Sequence, residues 1–482
     1  MRRRDARRLT PDSAGAAPAP VFCVADSRGP GCERGWLHLA DQRYEARDVQ
    51  HLLGLLVDQG VADASALGVT GISYGGGQSA TLALLRDRVA RPDGSLIPWR
   101  SPAGRALAIG AAWARWPWSD LADALVPNGR LGASTYATPV GVALQAYNDG
   151  LFALANLNGF VAPAGVEPTA DLATWKARID RGEPYGADVR AALRELHRFH
   201  SPLGVPRARR GASPLLLQAG WTDDLFPVGQ ALRLYDTLRA GSPRAPVSLQ
   251  LGDLGHDRAA NHRVDGAAME REGLAFFDAA LRGRGRAARP GAVVAYRQSC
   301  PRRAARGGEP VRAAAYARLA RGELVLREPR SQRVLSGGGD SAVAEKLNPL
   351  GLDACVSLED QVDRGSATVA RRSRGFTLLG RADVRARVAV RGAGAQLVAR
   401  LWDVDRGRRR LIDRGVLRLA PGTHTIRFAL NGNGWRFGAG HRVRLELVGR
   451  DAPSYRPSNG TFSVAVSRLS VALPTREAKP AR

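Results

Sequence analysis

The first chemistry this sequence offers is a serine set between small residues. Gly71-Ile72-Ser73-Tyr74-Gly75 fits the pattern Gly-x-Ser-x-Gly. In that pattern a sharp turn from strand to helix has no space for side chains beside the serine and presents its hydroxyl at the end of a sheet. The flanks agree, with the apolar run Leu67-Gly68-Val69-Thr70 before it and a helical run through Ala80, Leu82, Leu84 and Leu85 after it. A phosphate loop would need a Gly-Lys-Ser/Thr ending, which is missing. A serine hydroxyl is a weak nucleophile at neutral pH and works with an imidazole base that a carboxylate orients. In this arrangement the acid precedes the histidine along the chain, so both are sought downstream. Gly220-Trp221-Thr222-Asp223-Asp224-Leu225-Phe226-Pro227 follows an apolar run and offers Asp223 or Asp224. Asp223 is preferred, with Asp224 read as an acid at a helix N-terminus. His256, His262, His424 and His441 follow it, and His256 stands in Leu254-Gly255-His256, where the glycine lets the backbone turn the ring towards the serine. The chemistry is acyl transfer, with Ser73 as nucleophile, His256 as base and then acid, Asp223 as its orienter and the Tyr74 backbone N–H as an oxyanion donor. Trp113, Trp116 and Trp118, crowded after a further strand, together with Trp221, would line an acyl or aromatic pocket.

Positioning these residues requires a sheet whose strands all end on one rim. Val21 to Asp26 reads as a buried strand running into the loop Ser27-Arg28-Gly29-Pro30-Gly31. From Glu45 to Gln59, Val49, Leu52, Leu53 and Leu56 fall on one helical face, and Gly60 ends the pattern. Leu67 to Thr70, Ala106 to Ala111, Pro214 to Gln218 and Val247 to Leu251 are the further strands, and helical segments lie between them. That alternation predicts a mostly parallel sheet covered by helices, an α/β-hydrolase architecture. Residues 126–210 break the rhythm, with helical patches such as Val189 to His200, and read as a lid. After about residue 290 the period changes to two. Val384, Ala386, Val388 and Val390 alternate with Arg385, Arg387 and Ala389, and Val443, Leu445 and Leu447 with charged neighbours. Ile426, Phe428 and Leu430, and Phe462, Val464 and Val466, repeat the pattern, which predicts an all-β sandwich. The expected division is a disordered tail at 1–17, a first core part at 18–125, the lid at 126–210, a second core part at 211–289 and the β-sandwich at 290–482.

Charge invites another reading and its distribution removes it. The formal net charge is +26, yet arginine is spread along the chain and lysine occurs at Lys176, Lys346 and Lys479, so no single basic face declares a specific nucleic-acid site. The densest run, Arg406 to Arg410, reads as a solvated hairpin tip between two strands. No apolar stretch is long enough to cross a bilayer, and the opening Met-Arg-Arg-Arg-Asp-Ala-Arg-Arg is not followed by the apolar segment of a signal peptide. Cys23, Cys32, Cys300 and Cys355 show no metal-ligand spacing; Cys300 and Cys355 are either a bridge within one domain or buried free thiols.

At these residues the chain resembles the X-Pro dipeptidyl-peptidase and cocaine-esterase-like (CocE/NonD) acyl hydrolases. The resemblance runs from about residue 20 to 473 and rests on named segments. They are Arg43-Tyr44-Glu45-Ala46-Arg47-Asp48, Gly71 to Gln78, Ile97-Pro98-Trp99-Arg100-Ser101-Pro102, Gly220 to Pro227, Gly255-His256 and Asn433-Gly434-Trp435-Arg436-Phe437. It implies hydrolysis of an ester or amide through an acyl-enzyme, Ser73, Asp223 and His256 at the family's triad positions, a jelly-roll domain after the hydrolase, and no metal or organic cofactor. Relatives carry further strands before the loop seen here at Asp26 to Gly29, one of them donating a second oxyanion hydrogen bond, often from a tyrosine. This implies a truncated reading frame whose alternative fate is a catalytically impaired binding protein. Relatives are often exported, so the compartment stays open, as do esterase against peptidase and the oligomeric state. No acid in the lid, Glu167, Asp171, Asp180 or Glu183 among them, declares itself as the holder of a free amino terminus.

Overall fold

The computed structural model describes residues 36–130, 132–206, 211–286, 288–304, 310–351 and 353–478. The tail at 1–17, the strand at Val21 to Asp26 with its loop, Cys23 and Cys32 lie outside the described residues. Six strands form the α/β sheet: β1 Gly68–Ile72, β2 Ala111–Arg115, β3 Leu215–Gly220, β4 Val247–Gly252, β5 Val293–Ala295 and β6 Val311–Ala313. They lie side by side in chain order, parallel from β1 to β5 and antiparallel at β6. Every residue of β3 and β4 is buried, as expected of central parallel strands covered on both faces, and this is why they read as unbroken apolar runs. Among the described residues β1 pairs with β2 alone, and its residues alternate between exposed and half-buried.

Two expectations need correction. The second strand begins at Ala111, where it was expected to end, because residues 107–110 are committed elsewhere. The Leu107 amide donates to the Trp99 carbonyl at 3.1 Å, Ile109 to Arg86 at 3.0 Å and Gly110 to Leu67 at 2.8 Å. Helix α1 (Glu45–Asp58) forms where predicted, and Val49 and Leu53 of the expected face pack on the core, but the inward face is rotated away from the other two. Leu52 and Leu56 are 54% and 39% exposed, whereas Ala46, Gln50, Gly54 and Val57 are buried. Small residues decide this: a Cβ on Gly54 would stand 3.0 Å from Pro102, so only glycine lets the helix lie this close, and the Gln50 side-chain amide donates to the Arg88 carbonyl at 2.7 Å.

Helix α2 (Tyr74–Leu85) connects β1 to β2, and the long excursion before β3 carries α3 (Leu121–Leu125), α4 (Gln145–Leu157), α5 (Leu172–Arg181) and α6 (Ala187–Phe199). Asp171 caps α5 by accepting the Thr174 amide at 3.2 Å, and α6 buries Val189, Ala192, Leu193, Leu196 and Phe199 at helical spacing. That face packs with Trp118, Leu121 and Phe226. Helices α7 (Val228–Gly241) and α8 (Arg263–Arg282) complete the crossovers.

The remaining chain is mostly β, with a short α-helix at Ser341–Lys346. Its long strands are β7 Ala367–Gly380, β8 Asp383–Gly392, β9 Gln396–Asp405, β10 Arg408–Arg418, β11 Gly422–Ala429, β12 Asn433–Val448 and β13 Phe462–Thr475. They are antiparallel in the order β10-β9-β12-β7-β13-β8-β11. In β8 the alternation is as read, with Val384, Ala386, Val388 and Val390 buried between exposed residues. The arginine run is a hairpin tip only at Arg406 and Gly407, whose φ values of 48° and 72° make the turn. Arg409 contradicts the solvated reading: it is 0% exposed, pairs with Asp363 at 3.1 Å and lies over the Trp402 ring at 4.5 Å. Cys300 and Cys355 are joined as a disulfide with Cα atoms 5.5 Å apart. Among the described residues no helix is long and apolar enough to cross a membrane.

Candidate active site

Ser73 sits between the last residue of β1 and the first of α2 with φ at 57°, a conformation a non-glycine residue adopts only under constraint. Its amide donates to the Arg115 carbonyl at 2.9 Å, tying the turn to the end of β2. The surrounding glycines are not equivalent. A Cβ on Gly71 would fall 2.5 Å from the Gly75 carbonyl carbon, one on Gly76 2.1 Å from the Arg115 oxygen, and one on Gly77 2.5 Å from the Trp118 ring. Gly75, the second glycine of the motif, has nothing within 4 Å.

The structure brings Ser73, His256 and Asp223 together. Ser73 Oγ lies 2.7 Å from His256 Nε2, and His256 Nδ1 lies 2.8 Å from Asp223 Oδ2. With Nδ1–H donating to the carboxylate, Nε2 is left to accept the serine proton. Asp223 is 1% exposed, and its other oxygen accepts the amides of Leu225 at 3.0 Å and Phe226 at 2.9 Å, which fixes its orientation. Two glycines make the approach of the loops feasible. A Cβ on Gly220 would overlap the Leu254 carbonyl, and Gly255 has φ at 125° with Asp223 Oδ2 2.5 Å from where its Cβ would be. Asp224 is engaged elsewhere, accepting from Arg258 at 2.7 Å. Burial disfavours the charged form of His256, but the Asp223 carboxylate and its hydrogen bond outweigh that and raise the pKa above its ordinary value.

Three aromatic rings surround the imidazole edge-on: Phe226 at 5.3 Å, Trp116 at 5.7 Å and Tyr147 at 6.4 Å. Trp116 Nε1 and the Tyr147 hydroxyl are both buried without a hydrogen-bond partner among the described residues. Tyr147 comes from the first turn of α4, and nothing in its local sequence marks it, since its position depends on how the excursion before β3 folds back. Of the other tryptophans expected to line a pocket, Trp113 shares a cavity wall with Trp116, and Trp118 and Trp221 are buried in packing. Trp113 packs on α8, against Gly273 and edge-on to Phe277. Trp118 is 2% exposed between Tyr74 and Phe226 and donates to the His200 carbonyl at 2.8 Å. Trp221 is 3% exposed, donates to the Tyr296 carbonyl at 2.6 Å and abuts Gly434 of the β part.

Residues 361–479 match the X-Pro dipeptidyl-peptidase C-terminal non-catalytic domain. This stretch belongs to that domain family. Ser73, Asp223 and His256 all precede it. Solved structures extend the likeness to both halves of the chain. A CocE/NonD family hydrolase from Staphylococcus aureus aligns over 92% of this chain and 77% of its own with a TM-score of 0.59 at 12% identity. An aminopeptidase from a marine sediment Thaumarchaeota archaeon aligns over 90% and 80% with a TM-score of 0.57 at 14% identity. An α-amino acid ester hydrolase aligns over 90% and 80% with a TM-score of 0.54 at 16% identity. At such identities the likeness establishes the fold, an α/β-hydrolase unit followed by an X-Pro dipeptidyl-peptidase-type β domain. No curated protein matches the chain in sequence.

Behind the turn, the Tyr74 hydroxyl donates to the buried carboxyl of Glu45, which also accepts the amides of His38 at 2.9 Å and Ala40 at 2.5 Å. Burial raises the Glu45 pKa against these bonds. The segment entering α1 is thereby moored against the first residue of α2. Nearby, Asp41, Glu195 and His200 bring atoms suited to a metal together, but Arg43 already supplies the cation, 2.6 Å from Asp41 and 2.5 Å from Glu195.

Proposed function

We propose that this chain is a serine hydrolase that cleaves an ester or amide through an acyl-Ser73 intermediate. The observation that carries the reading is the unbroken line of short contacts from Ser73 Oγ through the imidazole to Asp223, held at a strained strand-to-helix turn. His256 Nε2 takes the serine proton as Oγ attacks the carbonyl carbon, and returns it to the leaving group when the tetrahedral intermediate collapses. Asp223 keeps the ring in the required tautomer and stabilises the imidazolium. The Tyr74 amide, first in α2, would donate to the oxyanion, a role worth about a hundred- to a thousand-fold in rate. The names of the structural relatives, an ester hydrolase, an aminopeptidase and a CocE/NonD hydrolase, support this class of reaction.

The surroundings favour an apolar acyl group over a peptide held by its amino terminus. Phe226, Trp116 and Tyr147 flank the imidazole, while the lid acids have partners of their own. Glu167 accepts from Thr169 at 2.6 Å, Asp171 caps α5, Asp180 pairs with Lys176 at 2.5 Å, and Glu183 pairs with Arg456 at 3.4 Å. A fluorophosphonate probe should label Ser73, and Ser73→Ala should abolish labelling and lower turnover about a million-fold. On the same protein, p-nitrophenyl esters should be cleaved faster than X-Pro-nitroanilides. Labelling that survives Ser73→Ala would overturn the mechanism, and faster anilide cleavage would overturn the substrate preference.

A further inference from the structure

We propose that a cavity between the lid, α7 and the β domain is a second binding site, separate from the triad, for a singly charged amphipathic carboxylate. The cavity has a volume of about 930 Å³ and includes neither Ser73 nor His256 in its walls. Small-molecule sites span roughly 300–1,000 Å³. Its nearest approach to the triad loop is Asp224, whose carboxylate is occupied by Arg258.

The arginines on its walls are in different states. Arg130 directs its guanidinium at the carbonyls of Ala137, Thr138 and Pro139, and Arg233 pairs with Asp123 at 2.6 Å. Arg381 is balanced only at longer range, by carboxylates such as Asp413, Asp123 and Asp236. Its Nε donates to the Leu430 carbonyl at 2.9 Å, and among the described residues no carboxylate oxygen lies within 4.0 Å of the guanidinium. Gly229, in the first turn of α7, supplies the space it occupies: a Cβ there would stand 3.1 Å from the guanidinium carbon. Burial pulls the pKa of Arg381 down, in keeping with a cation held in the wall without a contacting counterion. A bound carboxylate would meet it with paired charge-assisted hydrogen bonds.

The rest of the lining narrows the ligand. Leu144, Leu203, Leu232 and Leu379 offer an apolar surface for a hydrocarbon body. Asp120, Asp123 and Asp236 share the walls and repel any anion, a doubly charged phosphate about twice as strongly as a single carboxylate, which favours the lower charge at Arg381. The site does not depend on what the triad cleaves.

Isothermal titration of the full chain with phenylacetate and hexanoate, each against its neutral amide, tests this directly. Saturable binding of at least one acid is expected, about tenfold or more tighter than its amide. Arg381→Met should remove that preference without changing the melting temperature, and Ser73→Ala should leave it intact. If Arg381→Met does not fold, Ala317→Trp, which fills the cavity from another part of its wall, should abolish acid binding. Equal affinity for acid and amide, no saturable binding of either acid, a preference that survives both cavity variants, or one lost in Ser73→Ala would each overturn the proposal.

Discussion

At the residue scale, the site turns on the protonation of one imidazole. His256 must be neutral to accept the Ser73 proton, so activity is present above its pKa and lost as pH falls through it. Asp223 raises that pKa while burial opposes it. The acid limb of kcat/KM for a p-nitrophenyl ester should therefore lie above the ordinary histidine value of about 6.5. Asp223→Asn removes the main stabiliser of the imidazolium and leaves burial opposed only by Asp257, so any residual activity should titrate at lower pH. A pH–rate series on both proteins checks this, and a wild-type limb at or below the ordinary value would contradict the proposed coupling. The contact of Ser73, His256 and Asp223 was legible in the sequence. The acid and base of such a site follow the serine in a fixed order, and few histidines remain after Asp223. Tyr147 and Trp116 could not be told apart from other aromatics in the same way, because a ring's distance from His256 is decided by the packing of α4 and the end of β2.

At the element scale, the strand-to-helix turn is specified by two kinds of glycine. Gly71 is forced by contact with the backbone of Gly75, whereas Gly75 itself has open space around its Cα. Gly71→Ala should cost about 1–3 kcal/mol, as overpacking does. Gly75→Ala, in the first turn of α2, should stay within about 1 kcal/mol of the parent because alanine favours helix. Urea unfolding of the two variants side by side decides the matter, and equal losses would show that the pattern's two glycines serve one purpose. The elements that could be read from sequence were those whose signal is local: β3 and β4 as buried apolar runs, α6 by its spacing, β8 by its alternation. The inner face of α1 could be read only in part, since counting apolar residues points to Val49 and Leu53, which pack on the core, but also to Leu52 and Leu56, while Ala46 and Gly54 are the ones buried. The start of β2 was equally hidden, because it is set by register against β1 and by hydrogen bonds to Trp99, Arg86 and Leu67.

At the scale of the whole molecule, part of the arginine content is internal and neutralised by buried carboxylates. A chain of ion pairs runs from the β10 hairpin to the loop of the triad acid. Arg409 meets Asp363 at 3.1 Å, Asp363 meets Arg400 at 2.8 Å, and Arg400 meets Asp451 at 2.5 Å. Asp451 meets Arg414 at 3.5 Å, and Arg414 reaches Asp224 at 3.9 Å, beside Asp223. Arg400, Arg409 and Arg414 are at most 2% exposed, so these charges are spent on fixing the β domain and seating it against the hydrolase unit, not on a polyanion. Their burial was invisible in the run Arg406 to Arg410, because the neutralising Asp363 lies 46 residues earlier than Arg409 and meets it only in the folded chain. Breaking such a network strands the remaining charges out of water. Arg400→Ala leaves Asp363 and Asp451 short of their shared cation and should destabilise the chain by about 3–5 kcal/mol. Arg406→Ala, at the exposed tip where the side chain is 92% accessible, should leave the unfolding midpoint unchanged. Denaturant unfolding followed by tryptophan fluorescence separates the two, with Trp402, packed under Arg409, reporting on the β domain. A small loss for Arg400→Ala, comparable to that of Arg406→Ala, would mean that solvent reaches the ion chain and that the two halves are held by apolar contact alone.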